Sequence, residues 1–274
     1  MPASFFRLPL RFDAAPPKAD LASLSDADWK AHFNAQYHNG GWAGIALRSI
    51  DGSPANLYPG PDGNRSYADT PILDRLPAIR RALRRFECPL DAVRLLRLRA
   101  GGAIHEHRDY GLGIELGIVR LHIPLISGAD VEFYVDGMRV PMQEGECWYL
   151  DLSLPHRVHN RGSTDRIHLV LDCKVDGALL ALFPSEDEVL AQRQEPHYLA
   201  ALATSSQREF ARFRAFVLQD PGLQEELRQR DDVAAFVERV VTVGHEAGFG
   251  FTREDVKAAL QEGRRAAIER LIVG

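Results

Sequence analysis

Hydrophobic and polar positions follow two different rhythms along this chain, with the change near residue 185. Before it, apolar residues alternate or cluster in short β-branched runs separated by Gly and Pro, the pattern of strands. WAGIALRSI (42–50), AVRLLRLRA (92–100), IVRLHIPLI (118–126), DVEFYVDG (130–137), ECWYLDL (146–152) and RIHLVLDCKV (166–175) are the expected strands. Asp136-Gly137 lies between two such runs and predicts a tight turn. PILDRLPAIRRALRRF (71–86) carries Leu73, Leu76, Ile79, Leu83 and Phe86 at helical spacing and predicts a helix. Many short strands with turns between them argue for a sandwich or barrel.

After residue 185 the rhythm is helical. SEDEVLAQRQEPHYLAALATSS predicts one or two connecting helices, and QREFARFRAFVLQD a further one ending at Asp220-Pro221. Asp220 as a cap with Pro221 at the first helical position opens PGLQEELRQR. DVAAFVERVVTVGHEAG (232–248) is amphipathic and stops at Gly248, and Thr252 to Asp255 reads as a capping box for a last helix. The expected organisation is a β-rich domain over 1–185, a helical connector over 186–204 and a small helical domain over 205–274.

Composition narrows the classes. The chain has 274 residues, 45% hydrophobic and 26% charged, as an ordinary globular protein does, and a net charge of −5 gives no basic field to recruit nucleic acid. No run approaches the roughly 20 apolar residues of a membrane span. The N-terminal residues lack the apolar core and cleavage site of a signal peptide. Cys88, Cys147 and Cys173 are scattered and odd in number, as expected of reduced thiols in a cytoplasmic protein.

The polar residues inside the strands carry the candidate chemistry. In VRLHIPL, strand parity sends Val119, Leu121, Ile123 and Leu125 to one face and Arg120 and His122 to the other. In DRIHLVLDC, Arg166, His168 and Asp172 oppose Ile167, Leu169 and Leu171. Two cationic stripes among apolar residues suit an interior that holds an anion, because Arg presents a fixed fork of donors to a carboxylate. The bland alternative is a solvent-facing strand. HEHRD (105–109) concentrates two histidines and an aspartate. If the stretch is extended, His105, His107 and Asp109 point the same way, and His-x-Asp offers a nitrogen and an oxygen to one metal. LDLSLPHRVHN (150–160) supplies His156 and His159 as sources of a third ligand. Two histidines and one carboxylate on one face suit a non-heme Fe(II) oxygenase. Arg166, ten residues beyond His156, adds a partner for a dicarboxylate cosubstrate. Trp42 reads as a core aromatic or a pocket wall.

The pieces HRD, VRLHIPL, GECWYLDLSLPHRVHN and DRIHLVLD resemble the aspartyl/asparaginyl β-hydroxylase family of 2-oxoglutarate-dependent oxygenases. The stretches LRFDAAPPKADLASL and WKAHFNAQYHNGGWAGIALRSIDG are similar to its bacterial members, which include free-proline cis-hydroxylases. The resemblance spans about 7–177. It implies an α+β protein whose core is a double-stranded β-helix, a jelly-roll or cupin-like fold, followed by an all-α domain. It implies His107, Asp109 and His156 as iron ligands and Arg166 on the distal carboxylate of 2-oxoglutarate. Arg120 and His122 would face its keto-acid end or the substrate. His105 and His159 fall outside the implied ligand set. Asp109 places the chain with the three-ligand bacterial type, since the animal enzymes carry Gly there. RLLRLRA lacks the Ser that those enzymes use on the distal carboxylate.

The implied activity is a dioxygenase using Fe(II), 2-oxoglutarate and O2, with ascorbate as reductant in vitro. It would hydroxylate an unactivated C–H of an amino acid, or of an Asp or Asn residue in a peptide, and release succinate and CO2. A cupin-like protein that binds a metal or small ligand without catalysis is the rival from another class. The stretch from FRAFVLQDPGLQEELRQR to AGFGFTREDV resembles the Nif-eleven domain, similar to leader regions of modified ribosomal peptides. That likeness implies a peptide or protein partner; the plainer expectation is a helical cap or dimer element. Neither nucleic acid nor membrane is an expected partner.

Overall fold

Strand formation follows the alternating runs closely. The computed structural model describes residues 3–32, 35–59, 66–201, 205–228, 232–257 and 259–260. It begins with β1 (Phe5–Arg11), α1 (Ala15–Leu21), β2 (Lys30–Ala31), β3 (Trp42–Ile50), β4 (Tyr67–Asp69) and α2 (Pro77–Leu83). Next come β5 (Leu90–Leu98), β6 (Ala103–His107), β7 (Ile118–Ile126), β8 (Val131–Val135) and β9 (Met138–Arg139). Then follow β10 (Glu146–Leu150), β11 (His156–Asn160) and β12 (Arg166–Lys174). Helices α3 (Gly177–Leu180), α4 (Glu186–Arg193), α5 (Pro196–Ala201), α6 (Ser205–Leu218), α7 (Pro221–Arg228) and α8 (Val233–Glu246) complete the named elements.

From β5 onward the chain passes back and forth between two sheets. The larger has the order β1-β10-β7-β12-β5-β3-β2, with β4 on β3; the smaller has the order β6-β11-β8-β9. All the pairings with a defined register are antiparallel. From β5 to β12, strands of consecutive number therefore face one another rather than pair, apart from the β8–β9 hairpin. This is the wrapping of a jelly roll, the double-stranded β-helix. Asp136 and Gly137 take φ of 52° and 74° in the tight turn after β8, the conformation that Asp-Gly favours. Every residue of β10 is buried, as is β12 up to Cys173. The solvent-facing alternative for the Arg/His stripe of β12 is thus overturned: Arg166, His168 and Asp172 are all buried. Cys88, Cys147 and Cys173 are buried free thiols.

Besides the short strands β2, β4, β6 and β11, two features were hidden from pattern reading. FFRLPLR forms β1 at the edge of the larger sheet, where Pro9 costs no central ladder bond. Arg7 and the Trp148 indole both donate to buried Glu146 at 3.0 Å, which fastens this edge. The single helix expected over 71–86 is a 3₁₀ turn (Pro71–Arg75) followed by α2. Pro77 is the cause, since it disfavours helical backbone at Leu76, whose φ and ψ are −123° and 66°. The start of α2 is capped from α1: Asp20 Oδ2 accepts from the amides of Ala78 and Ile79 at 2.7 and 2.9 Å.

Contacts divide the chain into two units, one holding Met1–Val135 and Met142–Ser185, the other including Glu186–Gly274. In the helical unit, Asp220 accepts from the Leu223 amide, Asp232 from those of Ala234 and Ala235, and Thr252 and Asp255 cap reciprocally. Residues 202–204 of the expected connector, 229–231 after α7, and 258 and 261–274 of the last helical stretch lie outside the described residues. Phe213, Leu227, Val237, Val240, Val243, Phe251 and Val256 form the core of this unit. Gly244 packs so closely on Phe251 that a Cβ there would lie 2.2 Å from the ring. Gly244→Ala is therefore expected to destabilise the helical unit by about 1–3 kcal/mol despite the better helix propensity of Ala. Loss of helical circular dichroism in urea measures it; a variant as resistant as the parent contradicts this packing. No helix among the described residues is long and apolar enough to cross a membrane.

Candidate metal centre

β6 and β11 are antiparallel neighbours, and their register sets His107 directly opposite His156. The two rings lie 4.2 Å apart between centroids. Two residues on, the Asp109 amide donates to the Leu152 carbonyl at 2.8 Å, which turns this carboxylate back toward the histidines. One donor atom from each of His107, Asp109 and His156 lies within 4.8 Å of the others. His107 Nδ1 meets the His105 carbonyl at 2.8 Å and His156 Nδ1 meets the Leu154 carbonyl at 3.0 Å. A carbonyl only accepts, so each Nδ1 carries a proton, and in the neutral ring Nε2 is left with the lone pair. His107 Nε2 stands 3.8 Å from Asp109 Oδ1. Two bare imidazole nitrogens and a carboxylate oxygen converging on one point fit a divalent metal such as Fe(II).

The strand parity of HEHRD does not survive. Val158 pairs with Ile104 while His156 pairs with His107, so β6 spends three residues where β11 spends two. This irregularity shifts the phase by one position. Ile104 and His107 both face the interior, while His105 and Glu106 are both exposed. His105 is thereby removed from the cluster that uniform parity would have given it. His159 alternates away from His156 along β11 and is half-buried on its other face.

Charge around the cluster is arranged in a chain. Asp109 Oδ2 accepts from Arg120 Nη1. Arg120 Nε and Nη2 donate to Asp172 at 2.6 and 3.0 Å, and Arg94 Nη2 donates to the same carboxylate at 2.7 Å. Burial alone would raise the Asp109 carboxyl, but Arg120 and the two histidines hold it below the usual carboxylate range. Burial pushes His156 down to about 4, so its ring is neutral at pH 7 and ready to ligate. Arg120, expected at the keto-acid end of a cosubstrate, thus also bridges two carboxylates. Arg94 belongs to this chain and was not singled out from sequence. Its signal was a cation in a strand otherwise filled by apolar residues, and RLLRLRA holds three such arginines with nothing to separate them.

Two pockets meet at the cluster. The inner cavity lies between the sheets and is lined by Arg166, His122, Phe133, Leu96 and the three candidate ligands. Arg166 is 1% exposed, and among the described residues it has no carboxylate partner. Its guanidinium lies 5.6 Å from the Phe133 ring centre, and burial pushes its pKa down to about 9. His122 Nε2 and Arg166 Nε are buried there without partners. The outer pocket is walled by His32, Tyr37, Tyr58, Arg94 and exposed Tyr110. Trp42 and Arg120 line both spaces, as do His107 and Asp109. His32 stacks on Trp42 at 3.3 Å, and Tyr37 on His107 at 4.8 Å. Trp42 is therefore both a buried aromatic and a pocket wall.

Comparison with known proteins finds the following similarities. The model of the family described as aspartyl/asparaginyl beta-hydroxylase matches residues 18–175. An L-proline cis-4-hydroxylase of Rhizobium meliloti (strain 1021) is 27% identical over 165 residues, 60% of this chain and 58% of that protein. The match thus spans less than two thirds of that relative. A 2OG-Fe(II) oxygenase family oxidoreductase from Burkholderia pseudomallei is similar over 62% of this chain and 85% of its own, at 15% identity and a TM-score of 0.42. A prolyl-4-hydroxylase from Pseudomonas putida is similar over 64% of this chain and 94% of its own, at 14% identity and a TM-score of 0.39.

Proposed function

The chain belongs to the aspartyl/asparaginyl β-hydroxylase family, and from that premise we propose that it is an Fe(II)- and 2-oxoglutarate-dependent dioxygenase that hydroxylates an amino acid. The observation that carries this reading is Arg166, a buried cation without a carboxylate partner, in a cavity whose wall includes the three converging donors. Buried unpaired charge is costly, so such a site favours an anion that completes it. A dicarboxylate keto acid supplies one carboxylate for Arg166 and a keto-acid end for the metal. Bound Fe(II) with 2-oxoglutarate supplies the O2 activation that replaces C–H by C–OH, with succinate and CO2 as co-products.

The remaining work falls to the chain itself. His107 Nε2, Asp109 Oδ1 and His156 Nε2 hold the metal. Arg120 occupies Asp109 Oδ2 and leaves Oδ1 for it. His122 offers its buried Nε2 inside the cosubstrate cavity. The outer pocket, with Arg94 and its aromatic walls, takes the substrate. The name of the Rhizobium meliloti relative favours a small free amino acid over an Asp or Asn residue of a peptide.

The test loads purified protein with Fe(II), 2-oxoglutarate and ascorbate and offers a panel of free amino acids and short peptides. Succinate is expected to form in step with the gain of one oxygen by a free amino acid. Gain on a peptide alone corrects the substrate class. Protein that takes up the metal yet neither binds nor consumes 2-oxoglutarate overturns the reading.

A further inference from the structure

Arg166 and His168 share one face of β12, two positions apart, and both are buried. Arg166 Nη2 lies 2.8 Å from His168 Nδ1. Guanidinium only donates, so Nδ1 is the acceptor and the His168 proton sits on Nε2. The guanidinium also lies 5.6 Å from the centre of the Phe133 ring, and attraction to a ring face leaves the cation free to turn in its own plane. The His168 contact is the directional one. It is also uncharged: burial first, then the Arg166 charge, hold the His168 ring well below its ordinary pKa. His122 Nδ1 comes no nearer to His168 Nδ1 than 3.4 Å and adds a weak contact.

We infer that His168 is a positioning residue for Arg166: it orients the guanidinium through Nδ1 without neutralising it, and so sets the affinity for 2-oxoglutarate. A carboxylate at this place would fix Arg166 more firmly but cancel the charge that the cosubstrate needs. A neutral acceptor supplies direction and leaves the charge for the ligand. This rests on the reading of Arg166 as the cosubstrate anchor.

The experiment uses the full chain with Mn(II) in place of Fe(II) and measures 2-oxoglutarate binding by calorimetry, with Mn(II) affinity as control. His168→Leu is expected to weaken 2-oxoglutarate by about 10–100-fold, the usual cost of losing an orienting partner, with Mn(II) affinity unchanged. His168→Asn, whose amide oxygen stands near the place of Nδ1, is expected to recover most of that loss. With Fe(II) the loss should fall on the KM for 2-oxoglutarate more than on kcat. Parent-like binding by His168→Leu overturns the inference, as does Asn binding as weakly as Leu, which assigns the effect to packing. Arg166→Leu separates the two readings: if it binds 2-oxoglutarate like the parent, the anchor assignment fails first. Should the Leu variant not fold, the parent still decides, since long-range proton–nitrogen spectra should place His168 in its Nε2–H form. An Nδ1–H form contradicts the proposal.

Discussion

Replacing His156 by alanine is expected to abolish 2-oxoglutarate turnover and weaken Fe(II) binding by more than about 100-fold. Loss of a partner that merely orients a ligand costs about 10–100-fold, and loss of the ligand itself must cost more. The physical reason is the shared point of convergence. His107 and His156 present Nε2 from opposed strand positions because their Nδ1 protons are held by the His105 and Leu154 carbonyls. With His156 gone, one nitrogen and one carboxylate oxygen remain, too few to hold a metal against water. His105→Ala and His159→Ala are the controls, because the first side chain is exposed and the second alternates away from the cluster. Both should keep metal affinity near that of the parent. Metal-dependent turnover that survives in His156→Ala contradicts the ligand assignment, and loss of metal in His105→Ala would mean that His105 faces the metal site.

That control marks the boundary of what the sequence can convey. Trp42–Ile50 and Ile118–Ile126 are strands with the bounds that alternation predicts, because each side chain there feels only whether its face is covered. Parity holds along a regular strand and fails at a bulge, and a bulge is set by the partner strand. Hence His-x-Asp is legible as a ligand pair, but the separate fate of His105 needs the pairing of Val158 with Ile104. The edge strand at Phe5–Arg11 was hidden for a similar reason, since its proline is tolerable only where no further strand pairs. The cap of α2 by Asp20 joins residues 58 apart and leaves no local trace. The stripe of Arg120, His122, Arg166 and His168 was legible as unusual, yet its division of labour was not. Arg166 lacks a carboxylate, whereas Arg120 has two, and only the packed sheets decide which is which.

Asp172→Asn is the substitution expected to cost the fold most, by about 3–5 kcal/mol, because it strands the buried Arg94 guanidinium and takes from buried Arg120 one of its two carboxylates. Asp172 is 1% exposed and accepts from Arg94 and, in bidentate fashion, from Arg120. The amide keeps the shape and removes the charge, so the loss reports electrostatics rather than a cavity. Burial by itself would raise the Asp172 carboxyl, but the two arginines overcome that and hold it below the usual carboxylate range. A carboxyl depressed in the folded state stabilises the protein above its unfolded pKa, near 3.9, and this contribution disappears as pH falls through the lower folded value. The parent should therefore lose stability on acidification below about pH 4, and the Asn variant should lack this part of the decline. Urea midpoints measured from neutral pH downward test both statements. A variant within about 1 kcal/mol of the parent at pH 7 would show that water or rearrangement compensates the arginines. Activity should fall even where the variant folds, because Arg120, without its bidentate hold on Asp172, no longer fixes the direction of Asp109 Oδ2, and the proposed metal ligand Oδ1 turns with it.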